Sequence, residues 1–410
     1  MGARAESNSQ EWKQGRKAIP KNGSKSEKQF PRMGVRTESN FRESQKTIYE
    51  HHRKKYSALG GNMSDTILQF QSDYQEACHE KILQRLTEEY RHPYPGYGSD
   101  SICDSAKNRI REACQCPEAT VEFLVGGTQA NATVIDSFLP STHGIICVSS
   151  GHIAVHEAGA IELTRHKVIP LEGKDGKLCP SQVESFLSDF ALDENKAHTV
   201  QPGMIYISQP TEYGSIYSRK ELEALSKLCH EHNLEFFVDG ARLAYALAAP
   251  ENDVCLSDLA KYCDVFYIGG TKCGALFGEA VVIPNPKRLP HFFTSIKQHG
   301  ALLAKGWLLG LQFDELFKDE LYLHIGEKAN VYAREIKAAL KEAGFALFGD
   351  YPTNQVFFII SHTKMEKLKS LAHYAYMERY DEEHSVIRFA TGWSTKEEEV
   401  LQLCEIIKQL

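Results

Sequence analysis

The run Val265–Gly278, Val-Phe-Tyr-Ile-Gly-Gly-Thr-Lys-Cys-Gly-Ala-Leu-Phe-Gly, constrains the fold more than any other stretch of this chain. Val265 to Ile268 are all apolar, the character of a strand buried on both faces. The strand ends at once in Gly269-Gly270, and a single lysine, Lys272, follows. Glycines on both sides, at 269, 270, 274 and 278, let the backbone turn tightly and bring that amine close to a flat ligand. A lysine whose pKa is lowered by its surroundings makes Schiff bases with carbonyl groups. Taken alone, the motif also describes a surface lysine in a strand-to-loop turn. What decides between the two lies elsewhere in the chain.

A second run, Phe236–Ala244, reads Phe-Phe-Val-Asp-Gly-Ala-Arg-Leu-Ala. An apolar strand ends on Asp239, and Gly240 opens a turn into helical-looking residues 241–249. In an open α/β sheet, a carboxylate at the C-terminal end of a strand points into the crevice where ligands bind. Asp239 and Lys272 are 33 positions apart, room for one helix and one return strand, which places both groups at the same edge of the sheet. An aspartate facing a lysine across a flat ring suits pyridoxal 5′-phosphate. The lysine forms the Schiff base, and the aspartate keeps the pyridine nitrogen protonated so that the ring accepts electrons.

With 410 residues and 42% apolar content, the chain can bury a large core, best divided between two domains. A formal net charge of −7 gives the body of the protein no reason to bind nucleic acid. Residues 1–55, however, hold fourteen Lys/Arg against six Asp/Glu. Polar and basic throughout, residues 1–62 read as a disordered extension with a short helix near Glu43–Tyr56, or as upstream sequence ahead of a start at Met33 or Met63. A basic arm that docks on an acidic partner is the other reading. The eleven cysteines follow no metal-ligand spacing, so no metal is expected, and they read as reduced thiols of a cytoplasmic protein. No apolar run reaches the length of a membrane span, and no signal peptide opens the chain.

From Phe70 strand and helix patterns alternate, as in a largely parallel sheet covered on both faces. A strand over Thr120–Val125 runs into Gly126-Gly127-Thr128-Gln129-Ala130-Asn131 and an apolar helix to about Leu139. A glycine turn feeding a helix N-terminus binds anions, with Thr128 expected to cap the helix and to offer its hydroxyl to a phosphate. A strand at Gly144–Ser149 precedes Ser150-Gly151-His152, where a histidine can lie over the pyridine ring and near a proton in motion. Past Pro284-Asn285-Pro286 the sheet domain ends; His291–Phe317 reads as one long helical stretch and Asp319–Gly344 as another. Strands are expected near Phe345–Phe348 and Gln355–Ile360, with Thr353-Asn354-Gln355 between them, and a last helix from Thr395. In Val386-Ile387-Arg388-Phe389-Ala390-Thr391 one guanidinium projects from an apolar strand, shaped to take a carboxylate bidentately or to make an inter-domain salt bridge.

Asp-Gly-Ala-Arg-Leu around Asp239, the His152-Ile153…Glu157-Ala158-Gly159 turn, the Gly-Thr-x-Ala-Asn loop and the late Arg388 together resemble the threonine aldolase and β-eliminating lyase family of fold-type-I pyridoxal-phosphate enzymes. The resemblance runs from about Phe70 to the C-terminus. It implies an α/β fold with a mostly parallel seven-stranded sheet in a large domain, 63–285, and a small α+β domain, 286–410. It implies a phosphate loop at Gly127 and Thr128, a stacking His152, Asp239 at the ring nitrogen, Arg242 beside the cofactor and Lys272 as its covalent anchor. Ser72, Arg242 and Arg388 would hold the substrate's carboxylate. The family's usual Ser-Asp-Thr is Ser72-Asp73-Tyr74 here, His156 stands where tyrosine is common, and Trp307 where a basic residue is expected. The expected activity is cleavage of a β-hydroxy-α-amino acid, threonine or allo-threonine, to glycine and an aldehyde in a homodimer or homotetramer. The rivals are β-elimination from another amino acid, transamination, and a cofactor-binding protein without turnover.

Overall fold

Runs of apolar residues too short for helices, each closed by glycine or a polar turn, set the strands of this protein, and the longer segments between them supply the helices. The computed structural model describes residues 67–410; the expectations for the extension 1–62, its short helix and the alternative starts lie outside the described residues. Strand β1 (Leu68–Gln69) opens the described chain and is followed by β2 (Thr120–Leu124), β3 (His143–Val148), β4 (Val168–Leu171), β5 (Gln201–Ser208), β6 (Glu235–Asp239), β7 (Val265–Gly269) and β8 (Glu279–Ile283). Strands β2 to β8 form one seven-stranded sheet in the order β2-β8-β7-β6-β5-β3-β4. From β7 to β4 every pairing is parallel, and β8 runs antiparallel to both of its neighbours. All residues of β7 and β8 are buried, and apart from the buried Glu279 their sequences carry no charged or alternating polar side chain.

The crossover helices begin where their sequences place the signals. Ser218 caps the helix Arg219–Glu231 in a reciprocal box: its hydroxyl accepts from the Glu221 N–H at 3.3 Å, and the Glu221 carboxylate accepts from the Ser218 N–H at 2.8 Å. Leu222, Leu225, Leu228 and Cys229 form the buried face of that helix, at helical spacing.

The C-terminal part holds β9 (Gln355–Ser361), β10 (Ala372–His373), β11 (Ala375–Arg379) and β12 (His384–Ala390). Strands β11-β12-β9 form an antiparallel sheet, and β10 pairs with β1 in parallel. The helices Leu321–Glu342 and Glu397–Gln409 supply Ile336, Leu340, Leu403 and Ile407 to a core shared with Phe358 and Phe389. Leu68 and Phe70 are buried in this same cluster, so the start of the described chain packs with its end. The architecture is a large α/β domain with a smaller α+β part, the arrangement of fold-type-I enzymes.

Three local expectations are corrected. His291–Phe317 is not one helix but two, Phe292–Gln298 and Trp307–Leu316. Gly300, at φ +66, ends the first. At the start of the second, a Cβ on Gly306 would meet the backbone nitrogen of Gly98 at 2.7 Å, so the loop around Tyr97 docks where the helices part. Phe345–Phe348 is no strand; Leu347 makes a single bridge to Phe358. Thr128 is the second residue of the helix Gly127–Phe138 and does not cap it; Gly126 is the cap, with no side-chain hydrogen bond.

Candidate active site

The parallel pairing puts the C-terminal ends of β3, β5, β6 and β7 on one edge of the sheet, and the antiparallel β8 starts there with Glu279. Two glycines then bring the loops into contact. A Cβ on Gly240 would lie 1.9 Å from the Tyr267 carbonyl oxygen, and one on Gly269 would lie 2.3 Å from that of Ala241. No side chain fits at either position, and the Gly269 N–H donates to the Gly240 carbonyl at 2.9 Å. This crossing sets Asp239 and Lys272 on the wall of one cavity of about 320 Å³, which Gly127, Thr128, His152 and Arg242 also line.

Asp239 is 4% exposed and its carboxylate is fixed by three donors. The Ala241 N–H donates to Oδ1 at 2.9 Å; the Tyr206 hydroxyl and the Asn131 amide donate to Oδ2 at 2.5 and 3.3 Å. Asn131 also donates to Glu157 Oε1 at 2.7 Å, and that oxygen lies 2.8 Å from Nδ1 of His152. A carboxylate there keeps the proton on Nδ1 and leaves Nε2 as the basic nitrogen of His152. The backbone is held as well, because the His152 main-chain N–H donates to Glu212 Oε1 at 2.8 Å. Burial, and then the charge of Arg242, pull the Lys272 ammonium below the ordinary lysine pKa. Its Nζ sits 5.9 Å from the Tyr74 ring centre. Glu279 accepts from the Gly270 N–H at 3.1 Å and the Thr271 hydroxyl at 2.9 Å, yet burial still pushes its carboxyl well above the usual range.

Two arginines approach the cavity in different states. Arg242 grips Asp73 bidentately, Nε to Oδ2 at 2.7 Å and Nη2 to Oδ1 at 3.0 Å. Burial works against the Asp73 carboxylate, but the charge and hydrogen bonds of Arg242 outweigh it and hold the pKa at about 2. Arg388 meets only neutral oxygens among the described residues: Nη1 donates to Gln355 Oε1 at 2.8 Å and Nη2 to the Gln71 carbonyl at 2.9 Å. Its Nε is buried without a hydrogen-bond partner. Burial, followed by the charge of Arg242, disfavours its cation. A charge so placed gains from an arriving anion.

The structure therefore gathers Gly127, Thr128, His152, Asp239, Arg242 and Lys272 around one cavity, with Arg388 and Ser72 outside its lining. Ser72 is half-buried, and its neighbour Asp73 makes the charged contact. Sequence reading gave no role to Asn131, Tyr206, Glu212 and Glu279, and named Asp73 only as the neighbour of Ser72, without its partner Arg242. Asn131 was open to detection, lying one helical turn beyond Gly127. Asp73 and Arg242 are 169 positions apart, and no local pattern links them.

The cavity suits pyridoxal 5′-phosphate on its own evidence. Its half-buried amine and fixed carboxylate share one wall, and no side-chain cap takes up the leading N–H groups of the helix Gly127–Phe138. A Cβ on Gly127 would meet the Tyr267 hydroxyl at 3.0 Å, so glycine leaves that wall open.

Residues 76–363 match the beta-eliminating lyase family. A solved threonine aldolase structure from Leishmania major superposes with a TM-score of 0.81 at 40% identity, over 83% of this chain and 99% of that one. A low specificity L-threonine aldolase of a Pseudomonas species is 29% identical over 352 residues, 84% of this chain and 99% of its own length. An aspartate aminotransferase from Thermus thermophilus, at 12% identity and a TM-score of 0.63 over 84% of this chain and 91% of its own, shares the fold. With site, fold and sequence in agreement, the chain belongs to the beta-eliminating lyase family, within the threonine aldolase group of fold-type-I pyridoxal-phosphate-dependent enzymes that act on amino acids.

Proposed function

We propose that this protein cleaves the Cα–Cβ bond of a β-hydroxy-α-amino acid, threonine or allo-threonine, to glycine and an aldehyde. The observation that carries the reading is the pairing of Asp239 and Lys272 on one cavity wall by the Gly240–Gly269 crossing, with Arg388 hydrogen-bonded only to neutral oxygens among the described residues. Sequence likeness to threonine aldolases over most of the chain supports the same choice.

Pyridoxal 5′-phosphate, when bound, supplies an aldehyde that links covalently to an amine and a protonated ring that takes up the electron pair of the breaking bond. Lys272 is the residue to hold it, because its lowered pKa keeps a larger share of the amine neutral and nucleophilic. Gly127 and Thr128 take the phosphate at the helix start. Asp239, anchored by Tyr206, Asn131 and the Ala241 N–H, holds the proton on the ring nitrogen. Arg388 receives the substrate's carboxylate, and with Ser72 fixes which Cα bond stands ready to break. Arg242 contributes through Asp73, since its own donors are engaged there. The β-hydroxyl proton passes to Nε2 of His152, directly or through a water. As a homodimer or homotetramer in the cytoplasm, the protein would close its sites at a subunit boundary.

The test is the visible spectrum of the purified protein with L-threonine, L-allo-threonine and L-serine, with aldehyde and keto acid assayed separately. Aldehyde with glycine is the expected result. Pyruvate or 2-oxobutyrate with ammonia would overturn it in favour of β-elimination.

A further inference from the structure

Thr353, Asn354 and Gln355 lead into β9, outside the cavity, and are at most 2% exposed. Each reaches a different part of the site. The Thr353 hydroxyl donates to the Gly214 carbonyl at 2.8 Å. The Asn354 amide donates at 2.9 Å to Asp73 Oδ2, the oxygen that also accepts from Arg242. The Gln355 amide nitrogen donates to the Glu212 carbonyl at 3.2 Å, while its oxygen accepts from Arg388 Nη1 at 2.8 Å. Glu212 is part of the cavity wall and receives the His152 N–H. The Gln355 side chain thus bridges Arg388 on β12 and the turn that supports His152.

The chemistry of that bridge is informative. Arg242 is held by a carboxylate, so its charge is already met. Arg388 is held by an amide oxygen and a peptide carbonyl, which orient a guanidinium but do not neutralise it. Glutamate has almost the shape of glutamine and would bind Nη1 more strongly, at the expense of the charge an incoming carboxylate needs. An amide at 355 is the solution that aims Arg388 and keeps it cationic toward the substrate.

We propose that Gln355 is a positioning residue that sets amino-acid affinity, by orienting Arg388 with a neutral acceptor and tying it to the Glu212 turn. The inference rests on Arg388 as the carboxylate receptor. It is tested on the cofactor-loaded protein with Gln355→Glu and Gln355→Met, using the spectral change on adding glycine, and adding methylamine as the same amine without a carboxylate. Gln355→Glu should weaken glycine binding by about tenfold to a hundredfold, with methylamine affected less than about threefold. For the amino-acid substrate, KM should rise in step while kcat moves much less. Gln355→Met, which keeps the volume and removes the acceptor, should weaken glycine by several-fold, on the order of one lost hydrogen bond. Glycine binding by both variants within about twofold of the parent, or equal losses for glycine and methylamine, would overturn the proposal. Arg388→Lys separates the two levels. If it loses the preference for glycine over methylamine and Gln355→Glu keeps it, the role of Gln355 falls alone. If Arg388→Lys keeps the preference, the carboxylate reading of Arg388 falls with it.

Discussion

Replacing Asp73 by asparagine should destabilise this protein more than any other single uncharging in the site. Asp73 is 3% exposed and accepts two hydrogen bonds from Arg242, at 2.7 and 3.0 Å, and a third from Asn354 at 2.9 Å. Its carboxyl titrates at about 2, against an ordinary 3.8, even though burial pushes the other way. That displacement alone is worth about 2.5 kcal/mol of preference for the ionised group in the folded chain. An amide in its place would keep the shape and leave the Arg242 cation buried without a counter-charge, with Lys272 and Arg388 close by. Breaking one partner of a buried pair costs roughly 3–5 kcal/mol. For a chain of this size that is a fall in Tm of about 4–8 °C.

Denaturant and thermal unfolding of Asp73→Asn, Arg242→Gln and the double variant provide the assay. Each single change should cost several kcal/mol, and the double should cost less than their sum by about 2 kcal/mol or more. The sign with pH is fixed too. Because the folded pKa is depressed, the advantage of the parent over Asp73→Asn is complete above about pH 4 and shrinks as pH falls toward 2. Single losses under about 1 kcal/mol, or strict additivity, would refute the reasoning.

Lys272→Ala should lose the visible absorbance of lysine-bound cofactor and turnover together; turnover without Lys272 would end the proposed mechanism. Gly240→Ala forces a Cβ to 1.9 Å from the Tyr267 carbonyl, so it should fold poorly or lose well over about 3 kcal/mol in urea unfolding. A parent-like midpoint would show that the β6 and β7 loops do not cross as described. Glu279→Gln should gain stability over the parent as pH rises. The buried Glu279 carboxyl has a raised folded pKa, so the folded chain holds a proton that the unfolded chain has released, and the parent loses stability through that window. Unfolding midpoints that run parallel from pH 5 to about 9 would contradict this.

The residues that act through local chemistry could be read directly. Asp239 ends a buried strand and Lys272 follows one, Gly127 and Thr128 follow a strand and open a helix, and a strand–glycine junction in a parallel sheet has only one edge to face. A largely parallel sheet was legible for the same reason, since apolar runs without alternation need cover on both faces, while its seven strands followed from the family resemblance. Errors fell where local pattern is silent. Apolar residues on both sides of Gly300 suggest one helix, and the break becomes visible only when the Tyr97 loop occupies the space at Gly306.

What the sequence determined by itself was the strands that carry the site, β2, β3, β6, β7, β9 and β12, and the groups that stand on or just past them. What only the tertiary structure decided was the state of those groups. Arg242 is engaged by Asp73 and Arg388 is not engaged by any carboxylate among the described residues. Lys272 and Glu279 are both driven toward their neutral forms, and His152 receives its tautomer from Glu157. Charge state, tautomer and orientation depend on burial and on which carboxylate or amide the fold sets beside a side chain; Glu157 lies five positions from His152, but the partners of Asp73 and the Asn131 that meets Asp239 come from segments more than a hundred positions away.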